Sequence, residues 1–420
     1  MEINEASLPV FYVSRIFGYA PYRIERTVSG KFKGVLRSIP IRIYSVVLLS
    51  TLALLCAYGM YCDVVATVTL RMKSTTARIA TVFDVNIIGV SCLFGVLSGT
   101  VGFDQMLEIN RRLKEVDEIL LIYIDRDKES RRRALKLLLP IYTAILSLLA
   151  LDVFGWYRQA LKIKETDPLA VNVVNNLYWY APFYTLYIFL LTLQIQFTHL
   201  SWSLGTRYQR LNLALKYTFY RERSFLHQKN VAFGITSTNE FPKIEKAINN
   251  APRRDRAAYL HNIYLKNFAY VHETLGKTVI SISSYFGITL LMLLSSCLLH
   301  LTVTAYFLIL SLLDQNALDP FHISLQAVWL VFHTFRLLLI VEPCNMTSAE
   351  SSHTTHLVCN ILRDRPKSAI LESFWQQLIA KETYFTAHGI CRIDRSILTT
   401  VLWSITTYLV ILLQFEKIYG

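Results

Sequence analysis

A charge-free run of 20 residues, Ser396–Phe415, constrains this chain more than any other feature of its sequence. A helix of that length rises about 30 Å, the thickness of the hydrocarbon core of a bilayer. Six other apolar runs precede it, at 43–62, 79–103, 137–155, 177–200, 278–313 and 321–341. Because lipid cannot satisfy backbone polar groups, we predict an all-α polytopic membrane protein with seven transmembrane helices.

The composition supports this class. The chain is 53% hydrophobic and 17% charged, whereas a soluble chain of this length carries more charge. The net charge of +13 comes from basic residues between the apolar runs, which is typical of cytoplasmic membrane loops and argues against a nucleic-acid partner. No phosphate loop, nucleophile motif or set of metal ligands is evident, so we expect no enzyme activity, no cofactor and no metal.

The distribution of Lys and Arg predicts the orientation. Alternate loops, beginning with the amino terminus, carry 34 of these residues, and the opposite set carries 7. Without the long loop at 201–277 the ratio is still 21 to 7. The amino terminus is therefore predicted inside and the carboxyl terminus outside. The run 278–313 is predicted to be one long helix, because no Gly or Pro interrupts its middle.

The predicted regions follow from these spans. They are a cytoplasmic segment at 1–42, spans one to four at 43–200 with a cytoplasmic helical loop at 104–135, a cytoplasmic loop with amphipathic helices at 201–277, spans five and six at 278–341, a cytoplasmic helical anchor at 342–395, the last span at 396–415 and an extracellular tail at 416–420. Apolar residues at near-helical spacing in 107–121 and 253–277 predict helical extensions below the membrane. Segment 221–250 lacks that period and predicts a flexible loop.

The last span carries a polar stripe. Its polar members recur at steps that keep one helical face and are Thr400, Ser404, Thr407 and Gln414, with Ile411 in the gap between the last two. One interpretation is a helix packed inside a bundle, with each Ser and Thr bonded to its own backbone. The other is a helix that lines a pore, with one copy per subunit around a central axis.

Polar and aromatic residues from five spans are predicted to share one depth in the outer half of the membrane. Those that we select as candidate ligand contacts are Asp84, Asp152, Trp179, Phe183, Tyr184, Thr304, Phe307, Gln326 and Trp329. Sugars suit such a mixture, because aromatic faces cover C–H surfaces and carboxylates or amides bind hydroxyls. The alternative is an interfacial aromatic belt with hydrogen bonds between helices. Arg336, near the inner end of the sixth span, is expected to snorkel to the cytoplasmic interface beside Glu342.

Several motifs resemble those of insect gustatory receptors. The last span contains Thr407-Tyr408, five apolar residues and Gln414-Phe415, which is similar to their carboxyl-terminal signature. The preceding sequence FWQQLIAKETYFTAHGICRID at 374–394 also resembles theirs. FYVSRIFGYAPY at 11–22 and RMKSTTARIATVFDV at 71–85 resemble the fructose-sensing branch. The resemblance covers nearly the whole chain and is weakest at 224–251.

This resemblance implies a ligand-gated, non-selective cation channel in the plasma membrane. A sugar would open it, with fructose as the first candidate. It implies a homotetramer in lipid, with a central pore for cations lined by the last helix through Ser404, Thr407 and Ile411. Gln414 and Phe415 would form its narrow gate. Two other functions stay open at this point: a secondary sugar transporter, and a pore-less chemoreceptor coupled to a cytoplasmic partner.

Overall fold

The computed structural model describes residues 7–26, 28, 32–65, 75–121, 128–166, 175–220, 253–313, 320–364 and 368–419. The helices in this part of the chain are α1 (Leu8–Ile16), α2 (Ile39–Val65), α3 (Thr75–Val101), α4 (Phe103–Leu121), α5 (Lys128–Thr166), α6 (Ala181–Tyr220), α7 (Arg253–Tyr285), α8 (Gly287–Leu313), α9 (Pro320–Asp364), α10 (Ala369–Ala380) and α11 (Ser396–Tyr419). A 3₁₀ helix, Asn175–Tyr180, leads into α6. The predicted flexible loop at 221–250 lies outside the described residues.

Two short antiparallel hairpins accompany the helices. Strands β1 (Tyr22–Arg26) and β2 (Phe32–Arg37) pair with Tyr22 opposite Arg37. Strands β3 (Thr386–Ala387) and β4 (Cys391–Arg392) pair near the start of the last helix. Helices nonetheless dominate the described residues, so the prediction of an all-α architecture is correct except for these hairpins.

Helices α6 and α9 form the centre of the bundle and pack on each other more extensively than any other described pair. Nearly every residue of α6 from Leu186 to Ser201 is buried, including Gln194 and Gln196. We call the end of the bundle that holds Asp63 and Tyr180 the upper end, and the end that holds Tyr208 and His272 the lower end. The core therefore runs the full height of the molecule along α6 and α9.

Six described helical segments are long and apolar enough to cross a bilayer: Ile39–Val65, Arg78–Val101, Ala134–Glu165, Gly287–Leu313, Pro320–Asp364 and Ser396–Gln414. They coincide with six of the predicted spans. The predicted span at 177–200 falls on the 3₁₀ helix and the first half of α6. That helix is long, but its glutamines and tyrosines lower its mean hydropathy. It carries such polar residues because its sides face other helices rather than lipid.

The prediction of a single unbroken helix at 278–313 is wrong. Helix α7 ends at Tyr285 and α8 begins at Gly287. Backbone hydrogen bonds continue across the break, from Phe286 to Ile282 (2.9 Å) and from Leu290 to Phe286 (2.7 Å), so the chain bends without turning back. A Cβ at Gly287 would lie 3.1 Å from the Cα of His388. The β3–β4 turn therefore leaves little room for a side chain here, which explains why the residue is a glycine.

The predicted boundary at residue 342 falls inside a continuous helix. Helix α9 runs for 45 residues from the upper end to the lower end, with Pro343 in its interior. The amphipathic segments predicted at 107–121 and 253–277 are helical, in α4 and α7. At the lower end, α6 joins α4 through a nearly buried ion pair between Arg207 and Asp117, at 2.5 Å. The lower end is therefore a packed helical body rather than a set of linkers.

Candidate functional site

The upper end of the bundle contains a cavity of about 270 Å³ between α3, α5, α6, α8 and α9. Eight of the nine predicted ligand contacts line it: Asp84, Asp152, Phe183, Tyr184, Thr304, Phe307, Gln326 and Trp329. Pockets for drug-sized ligands occupy about 300–1,000 Å³. A cavity slightly smaller than this range suits a small molecule.

Helical periodicity brings these residues together. On α9, Gln326, Trp329 and His333 are three and four residues apart and so lie on one face. On α8, His300, Thr304 and Phe307 follow the same spacing, and Asp152 and Trp156 do so on α5. Each helix therefore contributes one face with mixed polar and aromatic side chains.

Asp152 organises one wall of the cavity. Its Oδ2 accepts hydrogen bonds from the Tyr184 hydroxyl (2.5 Å) and the Trp156 indole (3.1 Å), and its Oδ1 accepts one from the Trp329 indole (3.3 Å). Three helices are thus joined at one buried carboxylate, whose oxygens are largely used by the protein. Asp152 orients the aromatic walls more than it offers a free acceptor to a ligand.

Other polar groups in the cavity are available to a ligand. The Gln326 amide has no hydrogen-bond partner among the residues that the structure describes, and it is half-buried. The Asp84 side chain is 21% exposed, and its Oδ1 pairs with His300 Nε2. An amide and a carboxylate beside the indole face of Trp329 could bind the hydroxyls and the C–H face of a polyol.

The floor of the cavity contains residues that the sequence analysis did not select. Tyr187, His300 and His333 line it, and the rings of Trp329, His333 and His300 form a stack with centroids 5.4 and 4.8 Å apart. The available signal was the presence of histidines within apolar spans, where ionisable residues usually have a function.

Arg336 lies beneath this floor and is completely buried. The expectation that it snorkels to the interface beside Glu342 is wrong. Its guanidinium instead contacts Tyr187 Oη at 2.9 Å and Gln194 Oε1 at 3.2 Å. Buried polar partners on α6 replace the water that a snorkelling arginine would reach.

Trp179 does not line the cavity. It belongs to the 3₁₀ helix, and its ring contacts those of Tyr58 and Tyr178, with centroids 5.0 and 4.4 Å apart. A Cβ at Gly59 would lie 2.5 Å from the Trp179 carbonyl oxygen, so the glycine permits this close approach to α2.

The polar stripe of α11 is only partly buried. Only 6% of the apolar window of α11 is buried, compared with 50% for α8. The hydroxyls of Ser404 and Thr407 donate to the backbone carbonyls four residues earlier, at 2.9 and 3.0 Å. Gln414 is exposed and has no hydrogen-bond partner within the described part of the chain, and Ile411 is exposed as well. The backbone of Phe415 is helical, and its side chain lies outside the described residues.

Comparisons with known proteins place this fold among sensory receptors. The profile of the 7tm chemosensory receptors matches residues 8–419. The chain is 36% identical to the "Gustatory receptor for sugar taste 43a" of Drosophila melanogaster, over the full length of both chains. It is 26% identical to the "Gustatory and pheromone receptor 32a" of the same species, over 38% of this chain and 32% of that one.

Two solved structures share the fold. The insect olfactory receptor OR5 from Machilis hrabei aligns with a TM-score of 0.59 and 14% sequence identity, over 97% of both chains. The same receptor in complex with eugenol aligns with the same TM-score and coverage, at 15% identity. At this identity the likeness concerns the fold alone.

Proposed function

The chain belongs to the 7tm chemosensory receptor family, and from that premise we propose that it is a non-selective cation channel that a sugar opens, with fructose as the first candidate. It is a multi-pass membrane protein and a chemoreceptor, not an enzyme. The relative named for sugar taste is similar over its whole length, which supports a sugar as the ligand class.

The observation that carries this proposal is the composition of the cavity. The indole of Trp329 lines the cavity, and we expect its ring to pack against the C–H face of a sugar. The Gln326 amide and the Asp84 carboxylate offer hydrogen-bonding groups for hydroxyls, beside Thr304 and Phe307. Phe183 and Tyr184 complete an aromatic wall, in which Asp152 holds Tyr184. A lining that combines aromatic rings with an amide and a carboxylate suits a small neutral polyol.

The last helix supports the channel function. Gln414 lies within a segment long enough to span a bilayer and has no partner in the described chain. An unpaired amide in hydrocarbon is costly, so it must face water or another subunit. A homotetramer with four α11 helices around an axis meets this requirement, with Ser404, Thr407 and Ile411 along the pore. Gln414 and Phe415 then form its narrow end.

The orientation completes the proposal. With the amino terminus in the cytoplasm, the cavity faces the extracellular side of the plasma membrane. The lower end then lies in the cytoplasm, where its helices join neighbouring subunits.

A planar bilayer containing only the purified chain tests this function. We expect fructose to evoke discrete single-channel currents carried by both Na⁺ and K⁺. Uptake of labelled fructose into vesicles without such currents would identify a transporter. Fructose binding without currents or uptake would identify a receptor that needs a cytoplasmic partner.

A further inference from the structure

Helix α9 contains a buried proline, Pro343, which leaves one backbone carbonyl without its usual partner. A proline has no N–H, so the carbonyl of the residue four positions earlier loses its helical hydrogen bond. Here that carbonyl belongs to Leu339. Because an interior carbonyl without a donor costs free energy, we expect another group to take the place of the missing N–H.

Thr198 of α6 supplies this donor. Its hydroxyl donates to the Leu339 carbonyl oxygen at 2.7 Å, and the residue is almost completely buried. Three other threonines of α6 instead donate to the carbonyl four residues earlier in their own helix, as threonines in helices often do: Thr185, Thr192 and Thr206. Thr198 therefore departs from the local pattern at the one height where Pro343 has freed an acceptor on the neighbouring helix.

Below Pro343, further contacts fasten α9 to α6. The Thr347 hydroxyl lies 2.8 Å from the Pro343 carbonyl oxygen and 3.0 Å from that of Ser201, so it bridges the two helices. The Asn212 amide donates to the Glu350 carbonyl oxygen at 2.9 Å. The lower part of α9 is thus held to α6 at several points along its length.

Pro343 lies between the cavity and the base of α11. The upper part of α9 carries Gln326 and Trp329 of the cavity. Glu342, the residue before the proline, forms an ion pair with Arg395 at the start of the last helix, at 2.8 Å. A helix bends most easily where a proline interrupts its hydrogen bonds. A movement of the upper part would therefore turn about Pro343 and reach α11 through Glu342.

We propose that Pro343 is the joint of α9 and that Thr198 is the positioning residue that ties this joint to α6, so that ligand binding in the cavity moves Glu342 and, with it, α11. This inference rests on the proposed function, since it describes how the sugar site reaches the pore. It gives Thr198 and Pro343 a role in opening the channel rather than in binding sugar. The two residues act as a pair, because Thr198 is needed only where Pro343 cannot donate.

Thermal unfolding of the purified chain tests this pairing without sugar. Thr198→Val keeps the shape of the side chain but removes the donor, so the unfolding temperature should fall by a few degrees. In a Pro343→Ala background the alanine N–H can reach the Leu339 carbonyl, so the same valine substitution should have little effect. Thr198→Ser retains a donor and should unfold at a higher temperature than Thr198→Val. Equal losses from Thr198→Val in both backgrounds would overturn the pairing.

Separate measurements of sugar binding and current test the role in opening. At equal surface level, Pro343→Ala should still bind labelled fructose to saturation. Its maximal current should fall about fivefold or more, because a helix without the joint transmits less movement to α11. Pro140→Ala is the matched control, since Pro140 also lies inside a helix, α5, but is exposed. That variant should keep the maximal current of the wild-type chain.

Full current in Pro343→Ala would overturn the role of the joint, and so would an equal loss in Pro140→Ala. If Pro343→Ala does not reach the surface, the two Thr198 variants decide. Thr198→Val should lose maximal current at saturating fructose and Thr198→Ser should retain it, whereas equal losses would overturn the proposal.

The unfolding measurements separate this inference from the proposed function. They need no sugar, so the dependence of Thr198 on Pro343 is expected even if fructose evokes no current. A wild-type chain that passes no fructose current would contradict the proposed function. Equal effects of Thr198→Val with and without Pro343 would contradict this inference alone.

Discussion

Arg395, one residue before the last helix, forms a two-pronged ion pair with Glu342 in the middle of α9. Its Nε lies 3.0 Å from Oε1 and its Nη2 lies 2.8 Å from Oε2. Helix α9 also carries Gln326, Trp329 and His333 of the cavity. The pair therefore connects the helix that would sense the sugar to the base of the helix that would line the pore.

We expect this pair to affect gating more than folding. Both side chains are largely exposed to solvent, which screens the pair, so its loss should change the free energy of unfolding little. If sugar binding moves α9, loss of the pair should raise the half-maximal dose about fivefold.

A double-mutant cycle of dose–response curves measures this coupling. Glu342→Gln, Arg395→Gln and the double variant should shift the curve by similar amounts, because each removes the same interaction. Additive shifts, or none, would mean that the pair does not couple the two helices. Lys114→Gln serves as the control, since Lys114 pairs with Glu118 one turn later on α4, away from both helices.

The gate makes a second prediction. Phe415 follows Gln414, so their side chains lie about 100° apart on the helix and cannot face the axis equally in one state. A ring of phenyl groups closes a pore by excluding water, whereas an amide can replace part of the hydration shell of an ion. A sugar that binds the open state better would favour the exchange.

We therefore expect Phe415→Ala to pass current without sugar, and Gln414→Ala to alter conductance or ion selectivity more than apparent sugar affinity. Single-channel recording at matched surface levels measures both. A silent baseline in Phe415→Ala together with unaltered conductance in Gln414→Ala would rule out this gate. Reduced surface assembly in either variant would indicate that the residue packs between subunits.

The sequence predicts the helices well because each apolar run is long enough to span a bilayer. It also predicts most of the cavity, since helical periodicity places residues such as Asp84 and Gln326 on inward faces at a common height. The prediction was wrong for Trp179, because this residue precedes α6 in a 3₁₀ helix. The position of that helix depends on its close contact with Gly59 of α2.

Long-range partners explain the remaining errors. The buried position of the Arg336 side chain depends on Gln194 and Tyr187, which are more than a hundred residues away in sequence. The break before Gly287 depends on the turn at His388, which a local pattern does not reveal. Such pairings are fixed by the tertiary fold and are invisible to hydropathy.

We expect the stability of the fold to be sensitive to acid because of His272. Its ring is buried between Tyr208 and Phe374, its Nε2 lies 3.1 Å from Ser351 Oγ, and burial lowers the pKa of His272 to about 4. In the unfolded chain the pKa of a histidine is about 6.5, so the unfolded state binds more protons between these values. The stability of the fold should therefore be constant above about pH 6.5 and fall as the pH drops toward 4.

Thermal unfolding of the purified chain across this range measures the effect. His272→Gln retains a hydrogen-bonding group for Ser351 without titrating, and should unfold at a temperature that depends less on pH. His356→Gln, which changes an exposed histidine on α9, should leave the slope unchanged. Identical slopes in the wild-type chain and in His272→Gln would contradict this origin of the acid sensitivity.

The charge bias predicts the orientation in the membrane. With 34 Lys and Arg on one set of loops against 7 on the other, the amino terminus is expected in the cytoplasm and the carboxyl terminus outside. Epitope tags at both ends, stained before and after permeabilisation, measure this directly. An amino-terminal tag that stains on intact cells would refute the orientation and place the cavity on the cytoplasmic side.

Whole-cell current in cells that express only this chain tests the central claim most directly. We expect fructose to evoke a cation current, and Gln326→Ala or Trp329→Ala to raise the half-maximal dose tenfold or more at equal surface level. Removing a hydrogen-bond partner from a buried hydroxyl costs roughly 1–3 kcal/mol, which accounts for this shift. Trp179→Ala, outside the cavity, should respond as the wild-type chain does. A fructose dose curve that neither cavity variant changes would contradict the assignment of this cavity as the sugar site.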